Sequence, residues 1–155
     1  MSNLRIATPT DFQCILTLER AAFGATDGQF STRQLRDLLH NPRAHWLLGA
    51  DGDAMVCWLK VSNGRKRWAR LYSLAVHPRL RGQGWGERLI KAGFGWMIKN
   101  RLNICRAEVH QNNLAARRLY ARLGFDEIAV LHDYYGPRQH GLRLLKILTP
   151  RSVKT

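Results

Sequence analysis

Acid is scarce in this chain beside base. Its 155 residues hold 11 Asp and Glu against 25 Lys and Arg, a formal net charge of +14. So deep a deficit disfavours a polycationic natural substrate. It suits polyanionic surroundings, such as nucleic acid, a ribosome, acidic protein segments or nucleotide phosphates. A general basic bias with no partner in view accounts for it equally well. Cysteine is scarce too. Cys14, Cys57 and Cys105 are odd in number, far apart and each in an apolar stretch, which predicts buried, reduced thiols in a cytoplasmic protein. No Cys/His spacing suggests zinc, so no metal is expected. No apolar run approaches the roughly 20 residues that span a bilayer, and the opening MSNLRIATPTDF holds no signal-peptide core. The signatures of zinc fingers and RNA-recognition modules are missing, and the aromatics are not interleaved with the basic runs, which weighs against a nucleic-acid-binding module. There are no repeats, low-complexity tracts or linkers. What remains, 45% apolar and 23% charged, is the composition of one globular domain with a real core. That domain is expected over 1–150, with 151–155 as a basic tail.

Local signals set out the elements in turn. The segment 4–7 alternates as a first strand. Thr10 and Gln13 have capping-box spacing after Pro9, and Phe12, Ile15, Leu16, Glu19 and Ala22 then continue at helical spacing to about Phe23. Ser31 and Gln34 form a second capping box, stapled by Phe30 and Leu35, for a helix buried along Leu35, Leu38 and Leu39 that must stop before Pro42. The loop 24–29, with two glycines, has the composition to move over a substrate. Strands at 46–50 and 55–61 flank Asp51-Gly52-Asp53, a hairpin signal, and a basic loop leads to a strand at 68–76. A helix follows over about 84–100, then a strand at 103–109 and a helix at 113–123, with Gly124 at its cap and Phe125 folding back. Strands at 125–131 and 142–148 end the core at Pro150. Gly93 and Gly95 each cost roughly 1 kcal/mol against Ala inside a helix, tolerable where that helix lies close on a sheet.

Two stretches carry chemistry. The first, 71–86 (LYSLAVHPRLRGQGWG), is an apolar strand broken at His77-Pro78 that feeds a basic, glycine-rich turn opening a helix. The first N–H groups of a helix have no partner within it and its dipole favours an anion there, so such a turn cradles a pyrophosphate. Gly82, Gly84 and Gly86 let the backbone approach the ligand, and Arg79 and Arg81 add positive charge. The spacing Arg81-x-x-Gly84-x-Gly86 is neither the Walker pattern nor the dinucleotide G-x-G-x-x-G. The second stretch runs from Glu108 to Phe125 (EVHQNNLAARRLYARLGF): a strand ends in a carboxylate, an Asn opens a helix, and Leu-Tyr-x-x-Leu-Gly-Phe follows.

With its strand, the first stretch resembles the acyl-CoA-binding motif of the GNAT superfamily of acetyl-CoA-dependent N-acetyltransferases. The second is similar to that superfamily's other signature, nearest the bacterial ribosomal-protein-alanine N-acetyltransferases. The element order β-α-α-β-β-β-α-β-α-β-β matches as well, over nearly the whole chain. The resemblance implies an α/β, GNAT-type three-layer sandwich: a mixed, mostly antiparallel sheet of about seven strands with about four helices. It implies acetyl-CoA as co-substrate, held by Leu74, Ala75 and Val76, by the turn Arg81, Gly82, Gln83, Gly84, Trp85 and Gly86, and by Asn113. Glu108 would be the general base and Tyr120 the general acid, with Tyr134 and Tyr135 matching a paired tyrosine at the substrate. The acceptor is expected to be a primary amine, a protein N-terminus before a lysine or small amine, in a monomer or homodimer. A CoA-binding regulatory domain without catalysis is the rival. Two departures stand out. The family's last loop brings an acidic residue just before the final strand, whereas 136–142 here is basic and without carboxylate. Trp85 is also bulkier than the usual aliphatic residue, at a position read through its backbone.

The residues suit the chemistry on their own terms. An amine at neutral pH is mostly ammonium and must lose a proton before it attacks a thioester, which a carboxylate accomplishes directly or through one water. Backbone N–H groups stabilise the resulting oxyanion. A phenol, with a pKa near 10, stays protonated until the leaving thiolate needs a proton. Period-two alternation puts Arg106, Glu108 and His110 on one strand face, with Cys105, Ala107 and Val109 on the other; His110 is expected as a partly solvated strand-end residue before a proton relay for Glu108. Each residue also has a plainer use. Glu108 suits an ion pair with Arg106 or another arginine, Tyr120 a core aromatic, Asn113 an N-cap, Tyr134 and Tyr135 a cover for the sheet, and Arg117, Arg118 and Arg122 a solvated helix face.

Overall fold

Pro9 and the acid after it decide how the first helix begins. The computed structural model of the protein describes residues 3–23 and 31–149. The expected loop 24–29, the Phe30 staple, the stop at Pro150 and the basic tail lie outside the described residues. After a short strand β1 (Arg5–Ile6), Pro9–Asp11 make one 3-10 turn before helix α1 (Phe12–Ala22). The cap is therefore Asp11, not the expected Thr10–Gln13 box. Asp11 accepts the Thr8 N–H at 2.9 Å and two Arg5 N–H groups at 3.0 and 2.7 Å. Proline fixes the first φ, and the turn tightens before the α-helical ladder can start. The Arg5 hydrogen bond is the main cause that lowers the Asp11 carboxyl to about 2, against an ordinary 3.8. A lowered native pKa stabilises the fold above the ordinary value, and the effect is lost as pH falls through the native one. Asp11→Asn should thus flatten part of the stability loss between about pH 4 and 2 in an acid titration followed by circular dichroism. Arg5 is 58% exposed, so solvent screening keeps the contribution small.

The second capping box forms as expected. Gln34 N–H donates to Ser31 Oγ at 3.1 Å, and Ser31 N–H to Gln34 Oε1 at 2.9 Å, opening α2 (Thr32–His40). Strands β2 (Ala44–Gly49) and β3 (Ala54–Ser62) make the predicted hairpin, antiparallel with Gly49 opposite Ala54. Then come β4 (Arg67–Val76), α3 (Trp85–Lys99), β5 (Ile104–His110), α4 (Leu114–Arg122), β6 (Asp126–Leu131) and β7 (Gly141–Ile147). Hydrogen bonding orders the strands β1-β2-β3-β4-β5-β7-β6, with β4 parallel to β5 and β7 antiparallel to both β5 and β6.

The chain divides into two compact units, Met1–Lys60 with Tyr72–Gly93, and Val61–Leu71 with Phe94–Thr155. In the first, Ile15, Leu16 and Leu18 of α1 and Leu35, Leu38 and Leu39 of α2 pack on Trp46, Leu48, Met55, Cys57 and Ala75. The other face of β3 turns Trp58 toward α3, so this sheet is covered on both sides. A Cβ on Gly93 would stand 2.2 Å from Trp58 Nε1. Gly93 therefore lets helix and indole touch, as the expected close approach requires. Gly93→Ala should lower stability despite better helix propensity. Overpacking against a fully buried ring costs up to about 3 kcal/mol, more than the roughly 1 kcal/mol that Ala gains. A lower urea midpoint at unchanged slope would register it.

Cys14 departs from expectation. Cys57 and Cys105 are buried, but Cys14 is exposed at the edge of α1, its Sγ donating to the Gly52 C=O at 3.5 Å, one residue before the buried Ile15–Leu16 pair. In the second unit, α4 ends in the predicted cap. Phe125 N–H donates to Tyr120 C=O at 3.0 Å and Gly124 N–H to Ala121 C=O at 3.1 Å, which returns the Phe125 ring onto Tyr120 with centroids 5.4 Å apart. Arg117 is not part of a solvated face. It donates to Glu127 at 2.8 and 3.0 Å and to Gln111 C=O at 3.1 Å, tying α4 to β6. Among the described residues no helix is long and apolar enough to cross a membrane.

Candidate active site

In the first unit, β4 delivers Leu74, Ala75 and Val76 to the turn. Ala75 is buried under α1 and α2, while Leu74 and Val76 are half-buried. The break at His77 is held by Asp53 from the β2–β3 hairpin. Asp53 C=O accepts the His77 N–H at 2.8 Å, and its carboxylate pairs with Arg79. His77 Nδ1 accepts the Arg79 N–H at 3.2 Å and caps a 3-10 turn, Pro78–Leu80. Gly82 and Gly84 follow at φ 78° and 84°, a left-handed backbone that side chains resist, and nothing lies within 4 Å of where their Cβ atoms would be. Arg81, Gly82, Gln83 and Gly84 are all exposed. The helical ladder of α3 begins with Arg88 N–H donating to Gly84 C=O at 3.1 Å, so the N–H groups of Trp85, Gly86 and Glu87 have no partner inside the helix.

The two arginines of this turn do more structural work than the sequence suggests. Arg79 is committed to Asp53, and Arg81 Nη2 donates to the Ala22 C=O at the end of α1, at 2.8 Å. The backbone donors at the start of α3 are then the principal attraction for an anion. Trp85 turns its ring onto Gly49, where a Cβ would stand 2.8 Å from Cζ3, and Arg88 stacks over that ring at 4.3 Å. Its bulk is spent on packing, and its backbone stays in the turn.

In the second unit, β5 alternates as predicted. Cys105, Ala107 and Val109 are buried, and Arg106, Glu108 and His110 share the polar face. Glu108 lies between two arginines, its Oε2 3.6 Å from Arg70 Nε and its Oε1 3.8 Å from Arg143 Nη2, with its side chain 10% exposed. Arg143 stands directly opposite on β7. Arg106 is not the partner; it stacks on Trp68 at 4.4 Å. Nor does His110 stand poised to relay for Glu108. Its Nδ1 accepts the Asn112 N–H at 3.1 Å, which puts the hydrogen on Nε2, 2.6 Å from Gln139 Oε1. Its ring lies parallel to Tyr135, centroids 5.3 Å apart.

Tyr134 and Tyr135 are each nearly half exposed in the loop between β6 and β7, in edge-to-face contact. The Tyr134 hydroxyl accepts from Arg70 Nη2 at 3.2 Å. Burial first, then Tyr134 and Glu108 beside it, push the Tyr135 phenol up to about 12. Asn113 caps α4, its Oδ1 accepting the Ala116 N–H at 3.1 Å. Tyr120 is buried against Phe125, and burial, with Cys105 and Tyr135 nearby, pushes its phenol above the ordinary range. The fold thus gathers Glu108, His110, Tyr134 and Tyr135 around one strand end. Arg70, Arg143 and Gln139 join them unannounced by the sequence. Arg70 and Arg143 carry a faint signal, as charges flanked by apolar neighbours within strands, but only strand register shows that both meet Glu108. No group of three or more His, Cys, Asp or Glu among the described residues could hold a metal ion.

The chain belongs to the acetyltransferase (GNAT) family, whose model matches residues 12–125. It is 36% identical over 131 residues to a mycothiol acetyltransferase of Kineococcus radiotolerans, covering 79% of this chain and 42% of that protein. It is 33% identical over 75 residues to the [ribosomal protein bS18]-alanine N-acetyltransferase of Haemophilus ducreyi, covering 48% of this chain and 51% of that one. The chain spans about half the length of these curated relatives. Among solved structures, the ribosomal-protein-S18-alanine N-acetyltransferase of Escherichia coli superposes with a TM-score of 0.81 at 21% identity, covering 96% of this chain and 95% of that chain. Arabidopsis thaliana NAA60 in complex with acetyl-CoA gives 0.84 at 16% identity, covering 96% and 99%. At these identities the structures speak for the fold alone: among the described residues, the expected mixed sheet of seven strands with four α-helices is the one observed.

Proposed function

We propose that the protein transfers the acetyl group of acetyl-CoA directly to a primary amine, with a protein N-terminal amine as the acceptor. The observation that carries the reading is the turn before α3, where two exposed glycines hold a left-handed backbone at a helix start with open space above them. In this reading the turn Arg81–Gly86 binds the pyrophosphate, Leu74, Ala75 and Val76 present backbone groups to the acetylated arm, and Asn113 contacts the cofactor. Glu108 takes a proton from the acceptor ammonium. The amine nitrogen then attacks the thioester carbon, the C–N bond forms, the C–S bond breaks, and Tyr120 supplies the proton that makes the thiolate a thiol; the second proton that the nitrogen sheds on becoming an amide returns to the phenolate, and the one on Glu108 goes to solvent. No acyl-enzyme and no metal take part. Tyr120 is protonated at neutral pH with or without burial, and burial makes its phenol a weaker acid, so the acid role rests on its place in the family resemblance and not on its pKa.

The relatives named ribosomal-protein-alanine N-acetyltransferase favour the protein N-terminus, and the likeness to mycothiol acetyltransferases favours a small-molecule amine as the second reading. The basic charge suits a ribosomal or acidic partner in the cytoplasm. Release of CoA thiol from acetyl-CoA, followed with a thiol reagent across peptide N-termini, lysine side chains and small amines, tests the proposal. Turnover on peptide N-termini is the expected result. CoA binding with no turnover on any amine would leave a regulatory domain, and the absence of calorimetric heat with CoA would remove the family's activity from this chain altogether.

A further inference from the structure

We infer that the polar face around Glu108 selects an N-terminal amine followed by an acidic residue, and that Arg143 reads that residue's carboxylate. The inference rests on the assignment of Glu108 as the base, and takes from it the place where the amine must sit. Strand register puts four charged groups on one face of three neighbouring strands. Arg70 of β4 pairs with Arg106 of β5, two residues before Glu108, and Glu108 faces Arg143 of β7. Two guanidiniums, those of Arg70 and Arg143, therefore flank one carboxylate. The adjoining His110 is turned to Asn112 and Gln139, its Nδ1 accepting the Asn112 N–H at 3.1 Å and its Nε2 2.6 Å from Gln139 Oε1.

The distances show that Arg143 is not used up by Glu108. Its Nη2 stands 3.8 Å from the carboxylate, close enough for attraction and too far for a hydrogen bond. Its Nε, shielded from solvent, has no hydrogen-bond partner among the described residues. Arg106 Nε is left the same way, so what sets Arg143 apart is that the other two guanidiniums are engaged elsewhere: Arg106 lies over Trp68, and Arg70 Nη2 donates to the Tyr134 hydroxyl. A guanidinium offers its donors in a planar fork that matches a carboxylate. An amine within reach of Glu108 would place the side chain of its second residue a few bonds away, at the scale that separates Glu108 from Arg143. A carboxylate there would meet the fork of Arg143. A lysine or arginine there would meet two like charges. The basic loop 136–142 makes the same distinction, since it offers an incoming cation no acid.

The test is acetyl transfer from acetyl-CoA to peptides that share one sequence except at the second position, Ala-Asp, Ala-Ala and Ala-Lys, with free alanine and alaninamide as small-molecule controls. Binding of the same peptides by calorimetry is measured in parallel. The expected order of kcat/KM is Asp above Ala above Lys, with roughly ten-fold or more between the ends, as for a charge-assisted hydrogen bond. Arg143→Gln should collapse that ratio by raising KM for the Asp peptide. Arg143→Lys should keep part of the preference, which a merely structural defect would not do. Equal kcat/KM across the three peptides, or a ratio unmoved in Arg143→Gln, overturns the inference while leaving the transferase reading intact. Preference for free alanine over alaninamide with no effect of the second position overturns it too. If no peptide is acetylated, calorimetry decides: tighter binding of the Asp peptide that depends on Arg143 supports the inference against a failed catalytic reading, and equal or no binding overturns both.

Discussion

Replacing Tyr120 by phenylalanine is expected to lower kcat by about 10²-fold or more, within the range for losing a positioned general acid, with little change in the dissociation constant for CoA. The two readouts part because the substitution removes one O–H and keeps the ring. Tyr120 is buried edge-on against Phe125, and that contact, with the α4 cap below it, survives in the variant. In the proposed mechanism, what is lost is a proton needed only as the thioester sulfur departs. An interaction made in the transition state alone lowers kcat and kcat/KM together and spares ground-state binding. Single-turnover acetyl transfer and CoA calorimetry on one preparation check the split. Equal losses in both would show that the tyrosine is a packing residue. Because burial raises the phenol above its ordinary range, the wild-type rate should also show no loss from tyrosine ionisation up to about pH 10.

Glu108→Gln should reduce kcat/KM by about 10²-fold at neutral pH, and the defect should narrow as the pH rises. A glutamine of the same shape keeps the strand but cannot take the proton. Alkali then does the carboxylate's work by deprotonating the acceptor amine in solution. The variant also leaves Arg70 and Arg143 facing a neutral amide. Both arginine side chains are more than one-third exposed, so water screens the lost attraction and the fold should hold. A pH–rate profile from 6 to 10, beside a thermal melt, separates the alternatives. A defect of constant size across that range would point to misplaced strands.

The amino-acid sequence alone determined the element order, both faces of β5, the Ser31–Gln34 box, the Gly124 cap and the glycine turn before α3. These are local matters: a period of two or 3.6, a side chain bonding the backbone three residues on, a φ that only some residues tolerate. It misplaced the start of α1, because Pro9 and Asp11 competed with a Thr10–Gln13 spacing that looked as good, and it buried Cys14, because an apolar neighbourhood does not say which side of a helix a residue takes. Tertiary structure decided the rest. That Glu108 meets Arg70 and Arg143 rather than Arg106 follows from β4, β5 and β7 lying side by side in one register, and no spacing along the chain encodes it. His110 lost its relay geometry to Gln139, a partner 29 residues away, and Arg79 its freedom to Asp53, 26 residues away. Charges and hydrogen-bond donors act through space over a few ångströms, so their partners are known only once the chain has folded back on itself.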